Sequence, residues 1–236
     1  MQEGKIILFG FNRASLEIGT RLQEKGYALS IIDNDPTLIP RAKKLGFDLC
    51  IADYSDDAVL VELGISKDVN FVFALFDQDV QNVFLTLSIR ALDPKIHIIA
   101  TTHTKDAIHK LEIAGASTIL DSYQITGKKI YKLITQPDVM QIIETIVFSE
   151  ENVNMEQVMI TENSTLNGLT LSECYPTEKY NMLLIGLHDQ ELKKEFIFIT
   201  EGHNHKLDKG DILVVIGDSA EIARFKIDYH LEKRNN

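Results

Sequence analysis

The sequence predicts a doubly wound parallel α/β sheet over residues 4–121, a helix–turn–helix connector over 122–150 and a small α+β domain over 151–230. Three observations predict it. Short apolar runs alternate with amphipathic stretches through the first half, the pattern of a parallel sheet covered on both faces. Gly10 stands at the first strand-to-helix turn and Asp33 ends the second strand, 23 residues later, which makes the sheet Rossmann-like. From about Val153 the texture changes to short β-like segments separated by turn signals.

Each element has its own justification. Lys5–Gly10 (KIILFG) reads as a buried strand, and Ala14–Lys25 places Leu16, Ile18 and Leu22 at helical spacing before Gly26. Tyr27–Asp33 is the second strand, Pro36–Leu45 a helix closed by Gly46, and Phe47–Ala52 the third strand. A short helix over Asp56–Leu63 ends at Gly64, and Asn70–Leu75 is the fourth strand. The helix Asp79–Leu92 stops before Pro94, because proline disfavours helix in the residue it follows. Lys95–Ala100, a helix over Thr104–Ala114 and Ser117–Leu120 complete the sheet. Gln124–Ser149 reads as two helices broken at Gln136-Pro137, where a backbone donor is lost. In the last third, strands are predicted over Gln157–Ile160, Met182–Leu187, Glu195–Thr200 and Asp211–Gly217, with short helices over Thr170–Cys174 and Ser219–Phe225.

Composition removes several function classes. Of 236 residues, 44% are apolar and 25% charged, an ordinary globular balance. Lys and Arg number 24 against 35 Asp and Glu, a net charge of −11, which argues against binding nucleic acid or an anionic bilayer through a basic face. Two cysteines, Cys50 and Cys174, fit a reducing compartment better than a disulfide scaffold. No apolar run is long enough for a membrane span, and Met1–Lys5 lacks the shape of a signal peptide. The expectation is a soluble, cytoplasmic chain.

The first strand–turn–helix is where a ligand is expected. Gly10-Phe11-Asn12-Arg13-Ala14-Ser15 occupies the place of a G-x-G-x-x-G phosphate loop, with only the first glycine present. Asn12 puts a side chain where a phosphate would approach. Arg13 adds positive charge at a helix N-terminus, whose free N–H groups attract anions. Asp33 suits a ribose hydroxyl, with Asn34 beside it. At the other strand ends stand Asp53, Leu75, Phe76, Thr101 and His103. A second reading stays open, in which the scaffold keeps the turn without a ligand and Asp33 only caps a loop.

Catalytic candidates are thin. Ser15 has no triad partner in sequence, and Cys50, inside a predicted strand, reads as a small core residue. Glu201, His203 and His205 form a compact cluster, for which a solvated turn is favoured over a metal site. Asp56, Asp57, Asp77 and Asp79 lie at helix starts, where carboxylates cap and complement the dipole more readily than they bind calcium. Val80, Val83, Phe84, Leu87 and Ile89 make one helix apolar on more than one face. The stretches Ile125–Ile134 and Val139–Val147 do the same, which predicts cover by another subunit or by the C-terminal domain.

These features together resemble the RCK domain, the regulator of potassium conductance, also described as the Trk/Ktr-type regulatory domain. Lys5–Arg13 (KIILFGFNR) is similar to its opening strand and loop, Ile51-Ala52-Asp53 to its third strand end, and Leu60–Ile65 (LVELGI) to its following turn. Asp77-Gln78-Asp79 with Asn82 is similar to its acidic helix start, and Ile113–Ala116 (IAGA) to the approach to its last strand. Leu166–Leu171 (LNGLTL) and Lys209–Gly217 (KGDILVVIG) resemble the hallmarks of its C-terminal subdomain. The resemblance implies regulation rather than catalysis. It implies a homo-oligomer of dimers forming a gating ring on the inner face of the membrane, beneath the pore domain of a potassium channel. Asp79–Leu92 with Thr104–Ala114, and Ile125–Phe148, would form its interfaces. The effector stays unidentified. An adenine nucleotide suits the loop, the glycine pattern argues against NAD, and Ala74, Thr101 and His103 replace the carboxylates with which calcium-gated relatives hold calcium. The alternatives are an NAD(P)-dependent oxidoreductase and a soluble regulatory subunit of a potassium transporter.

Overall fold

The computed structural model describes residues 5–148, 153–174, 179–190, 196–200 and 205–233. The chain divides into two compact units, Met1–Tyr131 and Lys132–Asn236. In the first, strands β1 (Lys5–Phe9), β2 (Leu29–Asp33), β3 (Leu49–Ile51), β4 (Val69–Ala74), β5 (His97–Thr102) and β6 (Thr118–Asp121) form one parallel sheet in the order β3-β2-β1-β4-β5-β6. The connecting helices are α1 (Arg13–Glu24), α2 (Ile39–Lys44, preceded by a 3-10 turn Pro36–Leu38), α3 (Asp57–Glu62), α4 (Asp79–Leu92) and α5 (Lys105–Ala114). The strand order reverses between β1 and β4, which opens a crevice at their carboxyl ends.

The apolar run of β1 serves both faces, as strand alternation requires. Ile7 and Phe9 join one core with Ile32, Val72, Ile98, Leu85, Ile89 and Leu111. Ile6 and Leu8 join the other with Phe11, Ile31, Ala42, Phe47 and Leu75. One expectation is overturned at the sheet edge: Cys50 is exposed rather than part of the core. The reason is topological, because β3 is an outer strand with a neighbour on one side only.

Helices α6 (Ser122–Thr135) and α7 (Pro137–Phe148) follow, broken at Gln136-Pro137 as the sequence predicts. The second unit holds β7 (Val153–Met159), β8 (Met182–His188), β9 (Ile197–Phe198), β10 (Ile212–Asp218) and β11 (Glu232–Lys233), paired antiparallel in the order β11-β7-β10-β8-β9. Helix α8 (Ser219–Asp228) packs Ile222 and Phe225 onto Val158, Leu184, Leu187, Leu213 and Val215. Thr170–Cys174 is a turn, not the expected helix. Its backbone is engaged elsewhere: Leu171 N–H donates to the His205 carbonyl and Leu207 N–H to that of Leu169 (2.7 and 2.8 Å). Cys174 is buried in this second core, which pushes its thiol up to about 12.

Candidate functional site

The crevice is built by two polar latches. The first begins at Gly10, whose φ of +97° turns the chain out of β1. A Cβ there would meet the Leu75 carbonyl carbon and the Phe76 nitrogen at 3.0 Å, so glycine lets the loop cross the end of β4. Asp33 is 7% exposed, and it accepts the Phe11 N–H through one carboxylate oxygen (2.8 Å) and the Asp35 N–H through the other (3.0 Å). Asn12 and Ser15 form a reciprocal capping box at the start of α1: Ser15 N–H donates to Asn12 Oδ1 (3.1 Å) and Asn12 N–H to Ser15 Oγ (2.9 Å). Asn12 Nδ2 then donates to the Leu75 carbonyl and to Asp77 Oδ1, the latter at 3.1 Å.

The second latch is Asn82, fully buried on α4. Its Oδ1 accepts the Phe76 N–H (2.9 Å), and its Nδ2 donates to the carbonyls of Phe76 (2.8 Å) and Thr101 (3.0 Å). One side chain thus ties the ends of β4 and β5 to α4. Beside it, Asp79 accepts the His103 N–H (2.9 Å) and the Thr104 hydroxyl (2.6 Å), and His103 Nδ1 lies 3.4 Å from Asp79 Oδ1. Burial works against ionisation of Asp79, yet the hydrogen bonds from Thr104, His103 and Thr102 outweigh it and hold the carboxyl below its ordinary value.

That direction fixes a pH dependence. A carboxyl lowered on folding contributes stability above its unfolded value, and the contribution fades as pH falls through the lowered folded value. The stability difference between wild type and Asp79→Asn, about 1–3 kcal/mol at pH 7, is therefore expected to shrink on acidification below 3.8. Urea titrations across an acid pH series measure it. A difference that does not change with pH would overturn the assignment.

The expected site residues converge in part. Gly10, Phe11, Asn12, Arg13, Asp33, Leu75 and Phe76 lie where the loop after β1 passes the carboxyl end of β4. Asn34 and Asp53 follow β2 and β3 as exposed residues. Asp53 accepts the Ser55 hydroxyl and N–H (2.6 and 2.9 Å), which lowers its carboxyl pKa. Thr101 contributes its carbonyl to Asn82, and His103 lies with Asp77 and Asp79 in a cavity of about 410 Å³ between the starts of α4 and α5. Asp56 caps α3 by accepting the Ala58 N–H (2.8 Å). In the second unit His205 faces two buried carboxylates, Asp189 at 3.4 Å and Asp211 at 3.8 Å, while Glu201 and His203 lie outside the described residues. No described group of three or more His, Cys, Asp or Glu residues is placed to hold a metal ion.

The arrangement suits one phosphate-sized anion. Among the described residues, the loop N–H groups of residues 10–15 without an acceptor are those of Arg13 and Ala14, and the Arg13 side chain is exposed without an ion pair. Arg41 of α2 lies over the Phe11 ring, 5.8 Å from its centre. Sequence reasoning missed Asn82 as a structural latch. The available signal was an amide side chain on the buried face of α4, between Gln78 and Leu85.

Comparison with known proteins follows the same layout. Residues 6–122 match the TrkA-N domain model and residues 155–226 the TrkA-C domain model. Potassium channel protein 1 of Methanocaldococcus jannaschii is 25% identical over 222 residues, covering 93% of this chain, and the chain spans 65% of that protein's length. Ktr system potassium uptake protein C of Bacillus subtilis is 25% identical over 220 residues, 93% of this chain and 94% of that protein. Among solved structures, the human SLO3 gating ring superposes with a TM-score of 0.68 at 12% identity, over 94% of this chain and 45% of that one. A GsuK channel bound to NAD superposes with a TM-score of 0.51 at 18% identity, over 100% and 41%.

Proposed function

The chain belongs to the RCK family, with its TrkA-N and TrkA-C domains in order, and from that premise we propose that it is a ligand-sensing gating-ring domain of a potassium channel. It works on the cytoplasmic side and regulates rather than catalyses. Ligand binding in the crevice biases a two-state assembly of this chain, and the assembly opens or closes a pore. The modules are residues 4–121 for sensing, 122–150 for association and 151–230 for the C-terminal subdomain.

The observation that carries this reading is unpartnered apolar surface on the helices. Val80, Phe84 and Leu87 on α4, and Ile125, Ile130, Leu133, Ile134, Val139, Ile142 and Ile143 on α6 and α7, are all exposed. Apolar side chains left exposed in this way, on α4 and separately on α6 and α7, mark association faces, and a second copy of the chain is the occupant of each. Analytical ultracentrifugation is expected to find dimers or larger assemblies, and Ile134→Asp with Ile142→Asp to yield monomers. A wild-type monomer at high concentration would overturn the proposal. No described helix is long and apolar enough to cross a membrane.

The ligand is an adenine nucleotide. The Arg13 guanidinium and the Arg13 and Ala14 N–H groups would hold its phosphate, and Asp33 its ribose. Support comes from the donor set of the loop and from the NAD in the GsuK channel of the same fold. Arg13→Ala is expected to weaken ADP binding by about 1.5–3 kcal/mol, the value of a charge-assisted hydrogen bond. Calorimetry with ADP and NAD checks it, and unchanged affinity would remove Arg13 from the site. A second reading, a regulatory subunit of a potassium transporter, is favoured by the likeness to the Ktr protein over 94% of its length. Co-purification with a separate membrane protein separates the two readings.

A further inference from the structure

The C-terminal sheet covers one of its faces and leaves the other open. Strand alternation sends Val158, Leu213 and Val215 into the core with Ile222 and Phe225 of α8. Asn154 and Glu156 share that side, bonded to Ser219 and Lys226 of α8. The alternate residues point the opposite way. There Met155 of β7, Ile216 of β10 and Leu183 of β8 lie in register as one row across three strands. Val153 and Phe198 extend the row, and Val153, Met155, Leu183 and Phe198 are exposed by 39%, 45%, 55% and 52%. The open face of an antiparallel sheet is ordinarily polar. Here the described residues along and beside the row include Gln157 but no ionisable group, and His188, Asp218 and Glu232 stand at strand ends. We infer that this face packs against the same face of a second copy of the chain, a β-sandwich formed between subunits. The inference rests on the reading that copies of this chain associate, and it brings the C-terminal sheet into the contact.

Charge selects the occupant. The chain carries a net −11, so two copies repel unless they meet where carboxylates are absent. The row is such a place, and pairing it with itself desolvates no charge. An acidic or basic partner would find no group there to pair with. Continuity points the same way. Helix α7 lies in the same compact unit and exposes Val139, Ile142 and Ile143; it ends at Phe148, and β7 begins at Val153. Size then sets how the contact is used. Strands β7, β8 and β10 have seven residues each, so together they span roughly 14 Å by 24 Å. Two such faces bury less than the roughly 1,000 Å² that a stable interface clears. The contact therefore forms between copies already held through their helices, where tethering raises the effective concentration. A contact too small to stand alone can open and close as the assembly changes state.

The experiment is sedimentation of the full chain as wild type, as Met155→Lys with Leu183→Lys, as Met155→Glu with Leu183→Glu, and as an equal mixture of the two double variants. Both positions are exposed, so the variants keep their core. Each double variant is expected to assemble about tenfold more weakly or worse, because like charges then face each other. A change in net charge alone would weaken the Glu form and strengthen the Lys form. The mixture, which sets Lys faces against Glu faces, is expected to recover the wild-type assembly. A second measurement needs no substitution in the face: Met155 is expected to resist oxidation by hydrogen peroxide in the wild-type assembly and to react in the Ile134→Asp, Ile142→Asp monomer, read by mass spectrometry. Wild-type assembly by both double variants overturns the inference and leaves association through the helices standing. Weakening of both with no recovery in the mixture overturns it too, because the face would then meet a different surface. Equal oxidation of Met155 in assembly and monomer also overturns it. A wild-type monomer at high concentration removes the association reading, and the inference falls with it.

Discussion

Replacing Asn82 by alanine is expected to lower the stability of the N-terminal unit by about 3–5 kcal/mol. The side chain is fully buried and uses its whole amide, accepting from the Phe76 N–H and donating to the carbonyls of Phe76 and Thr101. Truncation leaves three main-chain groups without that partner at the ends of two central strands. Each buried group so orphaned costs about 1–3 kcal/mol, against a total for a domain of about 5–15 kcal/mol. The hydroxyl of Thr86 donates to the Asn82 carbonyl (2.7 Å), a bond that survives the substitution and keeps α4 intact. The loss therefore falls on the strand ends. Asn82→Asp is the informative companion. It keeps an acceptor for Phe76 N–H but turns a carboxylate toward two carbonyls, so it is expected to be no better than alanine. Urea unfolding measures both. A loss under about 1 kcal/mol for Asn82→Ala would show that solvent replaces the amide and that the latch is not structural.

Asn82 also marks where the sequence stops being legible. The parallel sheet was readable because each β/α unit writes its own period and punctuation: α4 runs from Asp79 to Leu92 as expected, fixed by a carboxylate at its start and Pro94 beyond its end. Gly10 and Asp33 were readable because they follow from the strand–turn–helix–strand order of a doubly wound sheet. What was not readable depends on which elements become neighbours. Cys50 looks like core within its own strand and is exposed because β3 has a neighbour on one side only. Thr170–Cys174 has helical composition, yet its backbone pairs with 205–207, some 35 residues away. The two residues of β11 were invisible, because they are strand only through pairing with β7. In sequence Asn12 puts a side chain where a ligand would approach. Its capping box with Ser15 and its reach to Leu75 and Asp77 make it the fastening between two loops. Local patterns write elements, whereas long-range pairing decides which polar side chains become structural.

Gly10→Ala is expected to cost about 2–5 kcal/mol, and the expectation has two separable parts. The first is conformational. At φ +97° an L side chain is strained, at about 1–3 kcal/mol. The second is contact. The added Cβ would sit 3.0 Å from main-chain atoms of Leu75 and Phe76, and backbone cannot swing aside as the end of a flexible side chain can. Those same atoms are fastened twice over, Leu75 by its carbonyl to Asn12 and Phe76 by both its main-chain groups to Asn82. Relief of the clash must therefore move a latch. Gly26→Ala separates the parts, because Gly26 also has a positive φ (+81°) but nothing lies within 4 Å of the place its Cβ would take. It is expected to cost the conformational part alone. The difference between the two variants in urea unfolding then reports the crossing of the Gly10 loop over the end of β4. If Gly10→Ala costs no more than Gly26→Ala, the crossing tolerates a methyl group. The glycine would then be needed only for its dihedral angle, and the crevice would owe its shape to Asp33 and Asn82 instead.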